Sequence, residues 1–303
     1  RYSDELLSIG FSSLPNIQFD KVSTKTGMLN RINESKSVIQ LLNYIQSYEI
    51  KIDYRGSGFV NLLFNECVVK NWVDIESLYY EELKKRLLQY NKNKDYDGNV
   101  SGVIGNLKHL NNQLEFLKNK LEDYLLKIEK ENKSKINSLS DLIHHWLNKN
   151  TFIDKSDHLL ILNFNYTATP KKYLKVGDEI INIHGELNSD KNPIIFGYGD
   201  DVDKNYIEIE DLNENEFFKH IKSFDYFKTS NYHGLLKFID GTMKREYHKQ
   251  FEVYIMGHSC GLSDRTMLST IFENPNCEKI KIFYHTIEDY RNKTYEISRH
   301  FKD

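Results

Sequence analysis

Four short runs of apolar residues in the second half of the chain each end in a polar cluster. They are 159–162 before 163–167, 180–183 before His184 and Gly185, 194–196 before 197–200, and 253–256 before Gly257, His258 and Ser259. Runs of about four to six apolar residues have the length of a buried parallel strand. Ligands of open α/β sheets bind outside the carboxyl ends of the strands. The pattern therefore predicts one site to which distant polar groups converge, with Asn165 and His184 as its central pair.

The rest of the second half alternates strand-like and helical segments. A fifth apolar run covers 280–284, and helical stretches are predicted at about 214–239, 263–273 and 294–302. Strands that alternate with helices are typical of βαβ units and a parallel sheet. Residues 151–303 are therefore expected to form an α/β region that carries the site.

The first half has a helical pattern, and residues 1–150 are expected to form a mainly helical insertion or cap region. One helix is predicted from Trp72 to Tyr90, and another covers about 139–147. Between them lies a heptad seam over three heptads, formed by Leu107, Leu110, Leu114, Leu117, Leu121, Tyr124 and Ile128. Such a seam favours either a dimerising coiled coil or an antiparallel hairpin that packs its seam within the monomer. We favour the hairpin, since three heptads is near the lower limit for a coiled coil.

Composition narrows the functional classes. The 303 residues are 39% hydrophobic and 28% charged, with a formal net charge of −3, so electrostatics give no indication of nucleic-acid binding. No apolar stretch approaches the ~20 residues that span a bilayer, and no signal peptide opens the chain. Three cysteines without a Cys-x-x-Cys pair indicate neither a disulfide framework nor a cysteine zinc site. We expect a cytoplasmic protein that binds neither a membrane nor a metal.

The segment Gly257-His258-Ser259-Cys260-Gly261 matches the Gly-x-Ser-x-Gly pattern of a nucleophile elbow. A serine hydrolase would also need an acid and then a histidine downstream, and Asp289 and His300 have that order. The upstream half, however, lacks the run of strands that precedes such an elbow. The alternative is a turn of small residues that lets a nucleotide approach a helix N-terminus, with Ser263 and Asp264 as the cap of that helix.

His184 and Asn165 have residue types that suit chemistry on a nucleotide. Histidine is the natural general base near neutral pH, for example to take a proton from a ribose hydroxyl. The amide of Asn165 can both donate and accept a hydrogen bond, and so orient a water or a ribose hydroxyl. Structural interpretations remain open for both residues, since a histidine at a strand end can be a satisfied core residue and an asparagine there can form an Asx-turn or N-cap.

Taken in order, these segments resemble two related families. The asparagine after a strand, the His-Gly pair, the Pro-x-x-x-Phe-Gly and the Gly-x-Ser are similar to the ordered signature of sirtuin-like proteins around NAD; here they are 163–167, 183–185, 193–197 and 257–259. The closer resemblance is to the bacteriophage abortive-infection AbiH family. Five blocks carry it: 72–76, 163–167, 182–185, 195–200 and 253–272.

The resemblance implies a sirtuin-like Rossmann parallel sheet with a large helical insertion from about residue 30 to 150. It implies NAD as substrate or ligand, with Asn165 and His184 as catalytic residues. The residues implied to contact the nucleotide are Asn163, Tyr166, Thr167, Gly185, Gly257, His258, Ser259 and Asp264. Sirtuin deacetylases carry a four-cysteine zinc module that these three cysteines cannot form. Protein deacetylation is therefore less favoured than NAD cleavage or nucleotide binding.

The family resemblance implies a role in antiphage defence. One expectation is an effector that binds NAD or a related nucleotide and, if it is an enzyme, hydrolyses the nicotinamide–ribose bond. The other is a non-catalytic nucleotide-binding module that senses a phage protein and works with a partner toxin. The helical region could also mediate a homo-oligomer. AbiH proteins usually begin with a strand and a Gly-Asn-Gly-Phe-Asp loop, and since the sequence starts at Arg1, we expect both to lie upstream.

Overall fold

The computed structural model describes residues 17–18, 51–52, 58–70, 74–95, 98–131, 159–167, 169–173, 179–199, 204–240 and 250–301. The fold is mixed α/β, and the chain divides into two compact units, Arg1–Tyr124 and Leu125–Asp303. The boundary predicted near residue 150 and the helix predicted at 139–147 lie outside the described residues. Within the described part, none of the helices is both long and apolar enough to cross a membrane.

Among the described residues, three helices begin in the first unit: α1 (Gly58–Lys70), α2 (Ile75–Asp95) and α3 (Val100–Glu131). Two short strands, β1 (Ile17–Gln18) and β2 (Lys51–Ile52), pair antiparallel. Asp74 caps α2, because its Oδ1 accepts the Ser77 backbone N–H at 3.0 Å. The helix predicted from Trp72 thus begins at Ile75 and runs beyond Tyr90.

The predicted heptad seam lies on α3, and its first half is buried within the chain. Leu107, Leu110, Leu114 and Leu117 are all buried, whereas Leu121, Tyr124 and Ile128 are partly exposed. Polar contacts fix the packing of the three helices. The Tyr79 hydroxyl donates to Asn111 Oδ1 at 2.7 Å, and the Phe59 N–H donates to Gln113 Oε1 at 3.2 Å. This arrangement agrees with the helices packing the seam inside the monomer.

Among its described residues, the second unit contains two parallel strand pairs. Strand β3 (Leu160–Asn163) pairs in parallel with β4 (Glu179–Asn182), and β5 (Phe251–Ile255) pairs in parallel with β6 (Cys277–Ile282). Parallel pairing of these four apolar runs is therefore confirmed. Among the described strands, the two pairs are separate two-stranded sheets.

The run at 194–196 is buried, as expected, but it does not form a strand. Its backbone bonds to loops instead: the Ile195 N–H donates to the His184 carbonyl oxygen at 2.8 Å. Two residues after this run, Tyr198 forms a single parallel bridge with Ile221. The prediction of a strand here was wrong because these partners are irregular segments.

The predicted helix at 214–239 is divided into short pieces. Around it lie α4 (Lys204–Asp211), a 3-10 turn (Asn215–Phe217), α5 (Lys222–Tyr226) and α6 (Asn231–Ile239). Two further helices among the described residues are α7 (Arg265–Phe272), which follows a 3-10 turn at Leu262–Asp264, and α8 (Ile287–Ser298), which begins earlier than predicted. Apolar residues of both strand pairs, α6, α7 and α8 form one hydrophobic core.

Candidate functional site

The site lies where the carboxyl ends of β3, β4 and β5 meet. Phe164 follows β3 directly, His184 follows β4, and His258 follows β5. The Phe164 ring centroid is 5.3 Å from that of His184, with the rings perpendicular, and 4.2 Å from that of His258. Residues almost a hundred positions apart in the sequence are thus in contact at one end of the strands, as the strand pattern predicted.

A buried carboxylate, Asp264, is the centre of this cluster. His184 Nε2 lies 3.1 Å from its Oδ1, and His258 Nε2 lies 3.5 Å from its Oδ2. The ammonium group of Lys222 donates to Oδ1 at 2.8 Å. Asp264 ends the 3-10 turn before α7, so the chain places it beside the loop that carries His258. One carboxylate therefore contacts two imidazoles and an ammonium group.

Lys222 was not predicted from the sequence. Only 1% of the surface of Lys222 is exposed, which is exceptional for a lysine. The bridge between Tyr198 and Ile221 places it, because the Lys222 N–H donates to the Tyr198 carbonyl oxygen at 2.8 Å. No motif marks this position, and only its place in a helical segment was visible in the sequence.

Electrostatics set the protonation of the cluster. Burial alone would raise the pKa of Asp264, but Lys222 and the two histidines outweigh it and hold that pKa well below its usual range. Burial lowers the pKa of His184; Lys222 lowers it further, while Asp264 opposes the change. At neutral pH the cluster therefore contains an ionised carboxylate beside a neutral His184.

Tyr226 supplies a further polar group that the sequence did not indicate. Its hydroxyl oxygen lies 3.2 Å from His184 Nε2, and the two rings are nearly parallel at 6.2 Å between centroids. Tyr226 ends α5, the helix that Lys222 begins. One short helix therefore provides two of the groups around His184.

The predicted asparagines have different environments. Asn163 is buried, and its amide donates to the Asn165 carbonyl at 2.8 Å and to Asn182 Oδ1 at 2.8 Å. Its Oδ1 accepts the Asn165 N–H at 3.0 Å, so Asn163 holds the turn after β3 through its side chain. Asn165 contributes its backbone to that turn and is itself exposed. Asn182, which the sequence did not single out, joins this network from β4.

The other predicted contacts lie around the same strand ends. The Tyr166 hydroxyl donates to the Ile195 carbonyl at 3.1 Å, and its ring centroid is 6.4 Å from that of His184. The Thr167 and Thr169 hydroxyls are 3.2 Å apart.

Gly185 has φ +90°, and a Cβ there would collide with the Pro193 carbonyl. The Gly185 turn therefore requires glycine for both its conformation and its packing.

The loop after β5 exposes its backbone. Gly257 has φ +72°, and a Cβ built on it meets no atom within 4 Å among the described residues. Ser259 is exposed, and Cys260 has φ +59°. His258 Nδ1 accepts the Cys260 N–H at 2.9 Å, which shapes the loop and leaves the ring proton on Nε2. A hydrogen bond inside the loop thus fixes its shape, while Gly257 and Ser259 stay exposed.

The geometry does not assemble the serine-hydrolase triad. His300 is fully buried, and its Nε2 donates to the Cys260 carbonyl oxygen at 2.8 Å. Its Nδ1 is buried and has no hydrogen-bond partner among the residues that the structure describes. Asp289 instead pairs with Lys293 and accepts the His285 N–H. The His300 side chain therefore supports the loop by bonding to the Cys260 carbonyl. Asp289, the acid that the triad would need, is paired with Lys293 instead.

Across the described part of the chain, histidine, cysteine and carboxylate side chains form no group of three that could hold a metal ion.

We expect the folded chain to lose stability as the pH falls from 7.5 to 5.5. Burial lowers the pKa of both His184 and His300, so below the ordinary value of about 6.5 the unfolded chain binds more protons than the folded one. Asp264 stays ionised throughout this window. Urea unfolding at several pH values measures the effect, and a midpoint that is constant or rises on acidification would contradict it.

A model of the family described as bacteriophage abortive infection AbiH matches residues 30–286. The match extends from the first unit through the loop after β5 to the residue before α8. No curated protein and no solved structure matches the chain significantly. Because the family match spans most of the sequence and includes every residue of the Asp264 cluster, the chain belongs to the bacteriophage abortive infection AbiH family.

Proposed function

We propose that this AbiH protein is an antiphage effector that binds NAD or a related nucleotide at the strand ends of its second unit and hydrolyses the nicotinamide–ribose bond. Loss of NAD would stop the infected cell before phage mature. The observation that carries the proposal is the contact of His184 with Asp264 at 3.1 Å, at the carboxyl ends of parallel strands.

The surroundings of this contact suit a nucleotide. Gly257 and Ser259 lie in an exposed loop between β5 and the 3-10 turn before α7, and no atom of the described residues lies within 4 Å of a Cβ built on Gly257. Small residues allow a phosphate or ribose to come close to the backbone. The exposed side chain of Asn165 follows β3, the strand that pairs with the one before His184. A ligand that contacts both the loop of Gly257 and Ser259 and the side chain of Asn165 would lie across the strand ends.

In the proposed reaction His184 is the general base. It takes a proton directly from the attacking water, or from a ribose hydroxyl that in turn takes the proton of the water, while the water oxygen bonds to the ribose carbon that held nicotinamide. The bond between that carbon and the ring nitrogen breaks, and the electron pair leaves with neutral nicotinamide. Asn165 orients the ribose or the water with its amide. A neutral imidazole is required, and the lowered pKa of His184 supplies it at pH 7.

The two strand pairs are proposed to belong to one sirtuin-like Rossmann sheet. Their shared hydrophobic core and the contact between Phe164 and His258 support this arrangement. In such a sheet the carboxyl ends of all strands lie on one edge, where a dinucleotide binds.

The direct test is incubation of the protein, produced from its full natural reading frame, with NAD, followed by chromatography for free nicotinamide. Nicotinamide and ADP-ribose in equal amounts would support the proposal. Saturable NAD binding without nicotinamide would replace it with the sensing module that acts through a partner toxin. The absence of both binding and release would exclude NAD as the ligand.

We expect Asn165→Ala to lower nicotinamide release by about 10-fold or more, since an orienting amide is lost from the reacting groups. The turn should persist because Asn163 bonds to the Asn165 backbone, which alanine retains. Asn119→Ala on the exposed side of α3 is the matched control. Unchanged release by Asn165→Ala would remove Asn165 from the reaction.

A further inference from the structure

The buried Lys222 has no role in the proposed reaction as it stands, yet it contacts the carboxylate that contacts the general base. A buried lysine is costly, because its ammonium group must lose its hydration. Here the cost is offset by Asp264 Oδ1, 2.8 Å from Nζ. Its backbone is fixed as well, through the hydrogen bond to Tyr198. The position and charge of Lys222 are therefore rigidly defined.

From this geometry we infer that Lys222 and Asp264 are a positioning pair that holds His184 in one orientation and one tautomer, with the proton on Nε2 and the lone pair on Nδ1. The catalytic role of this pair rests on the proposed function, whereas its geometry does not.

The tautomer follows from the contacts of the carboxylate. An ionised carboxylate only accepts hydrogen bonds. His184 Nε2, at 3.1 Å from Asp264 Oδ1, must therefore carry the proton of the neutral ring. His258 obeys the same rule, since its Nδ1 accepts the Cys260 N–H and its Nε2 faces Oδ2. The remaining nitrogen of His184, Nδ1, is then the atom that can accept a proton from a substrate.

Neighbouring rings restrict rotation of the imidazole. The Phe164 ring meets it edge to face at 5.3 Å, and the Tyr226 ring lies almost parallel to it at 6.2 Å. The Tyr226 hydroxyl is 3.2 Å from the same Nε2 that faces Asp264. A flip of the ring would exchange Nε2 for a carbon atom beside both oxygens and lose these contacts.

Lys222 matters because it keeps Asp264 ionised. A carboxyl group buried beside neutral histidines tends to take up a proton. A protonated Asp264 could donate to His184 Nε2, and the imidazole proton would then move to Nδ1, the nitrogen that the proposed reaction needs unprotonated. The ammonium group of Lys222 prevents this exchange. The groups that face His184 are Lys222, Asp264, His258 and Tyr226, and of these Lys222 carries the fixed positive charge.

The test is a ¹⁵N NMR measurement of the His184 ring in the full protein, with its signals assigned by their loss in His184→Gln. The parent is expected to show a single tautomer protonated at Nε2 between pH 6.5 and 8.5. Lys222→Met keeps an unbranched side chain, one atom shorter and without the charge, and it should populate the tautomer protonated at Nδ1. Lys222→Arg should restore the parent tautomer. Lys219→Met, at an exposed lysine three residues earlier, is the matched control.

Catalysis gives a second, separate readout. In Lys222→Met, kcat for NAD cleavage should fall by about 10-fold or more, and KM should change by less than about threefold. The acid limb of the pH profile of kcat should move to higher pH.

A parent ring protonated at Nδ1 overturns the inference whatever the activity. An unchanged tautomer and acid limb in Lys222→Met would also overturn it and leave Lys222 a purely structural residue. If the parent does not cleave NAD, the proposed function fails, while the tautomer still decides the positioning role. The parent measurement does not depend on Lys222→Met, so it stands even if that variant does not fold.

Discussion

Replacing His184 with glutamine is expected to abolish protection against phage and to lower nicotinamide release by roughly 10²- to 10⁴-fold, the usual contribution of a general base. Glutamine cannot accept a proton at neutral pH. Its amide can still donate to Asp264, so the buried carboxylate keeps a partner and the fold should persist. Alanine would be a poorer choice, because it would leave a cavity beside an ionised group.

The measurement combines survival of infected cells, their NAD content, and the urea midpoint of the purified variant. His233→Gln is the matched control, since His233 is exposed on α6 and away from the Asp264 contacts. Continued loss of NAD in a variant that lacks both His184 and Asn165 would exclude these residues as the catalytic pair.

Replacing Gly197 with alanine should lower the free energy of unfolding by about 3 kcal/mol, the upper end of the usual cost of overpacking. A Cβ at Gly197 would collide with the backbone carbonyl of His220, which cannot rotate away as a side chain can. That carbonyl accepts the Tyr198 N–H at 3.0 Å, next to the bridge that places Lys222. The collision would therefore disturb the candidate site as well as the fold.

Gly234→Ala provides the comparison. Gly234 lies inside α6, and a Cβ there would only touch the end of the Ile181 side chain at 3.4 Å. Alanine favours a helix over glycine by up to about 1 kcal/mol, so this variant should match or exceed the parent in stability. Urea denaturation of both variants measures the difference. Equal midpoints for Gly197→Ala and the parent would show that the 197–199 segment is free to shift.

The sequence by itself located most of the candidate site because strand ends have a local signature. An apolar run followed by polar residues marks both the strand and its carboxyl end, and it identified His184 and His258 on separate strands. The parallel pairing of β3 with β4 and of β5 with β6 followed from the same alternation. The heptad spacing likewise determined the long helix α3 and which of its faces is apolar.

Tertiary structure alone decided how the charges pair. Lys222 and Asp264 are 42 positions apart, and a bridge between Tyr198 and Ile221, a pairing that no sequence pattern indicates, places Lys222 beside the carboxylate. The run at 194–196 is as apolar as a strand, but its N–H partner is the carbonyl of a turn residue, His184. Periodicity reports which face of a segment is buried, not what lies against it. The sequence therefore determined the elements and the residue types at their ends, whereas packing decided that a buried lysine would join the carboxylate beside His184.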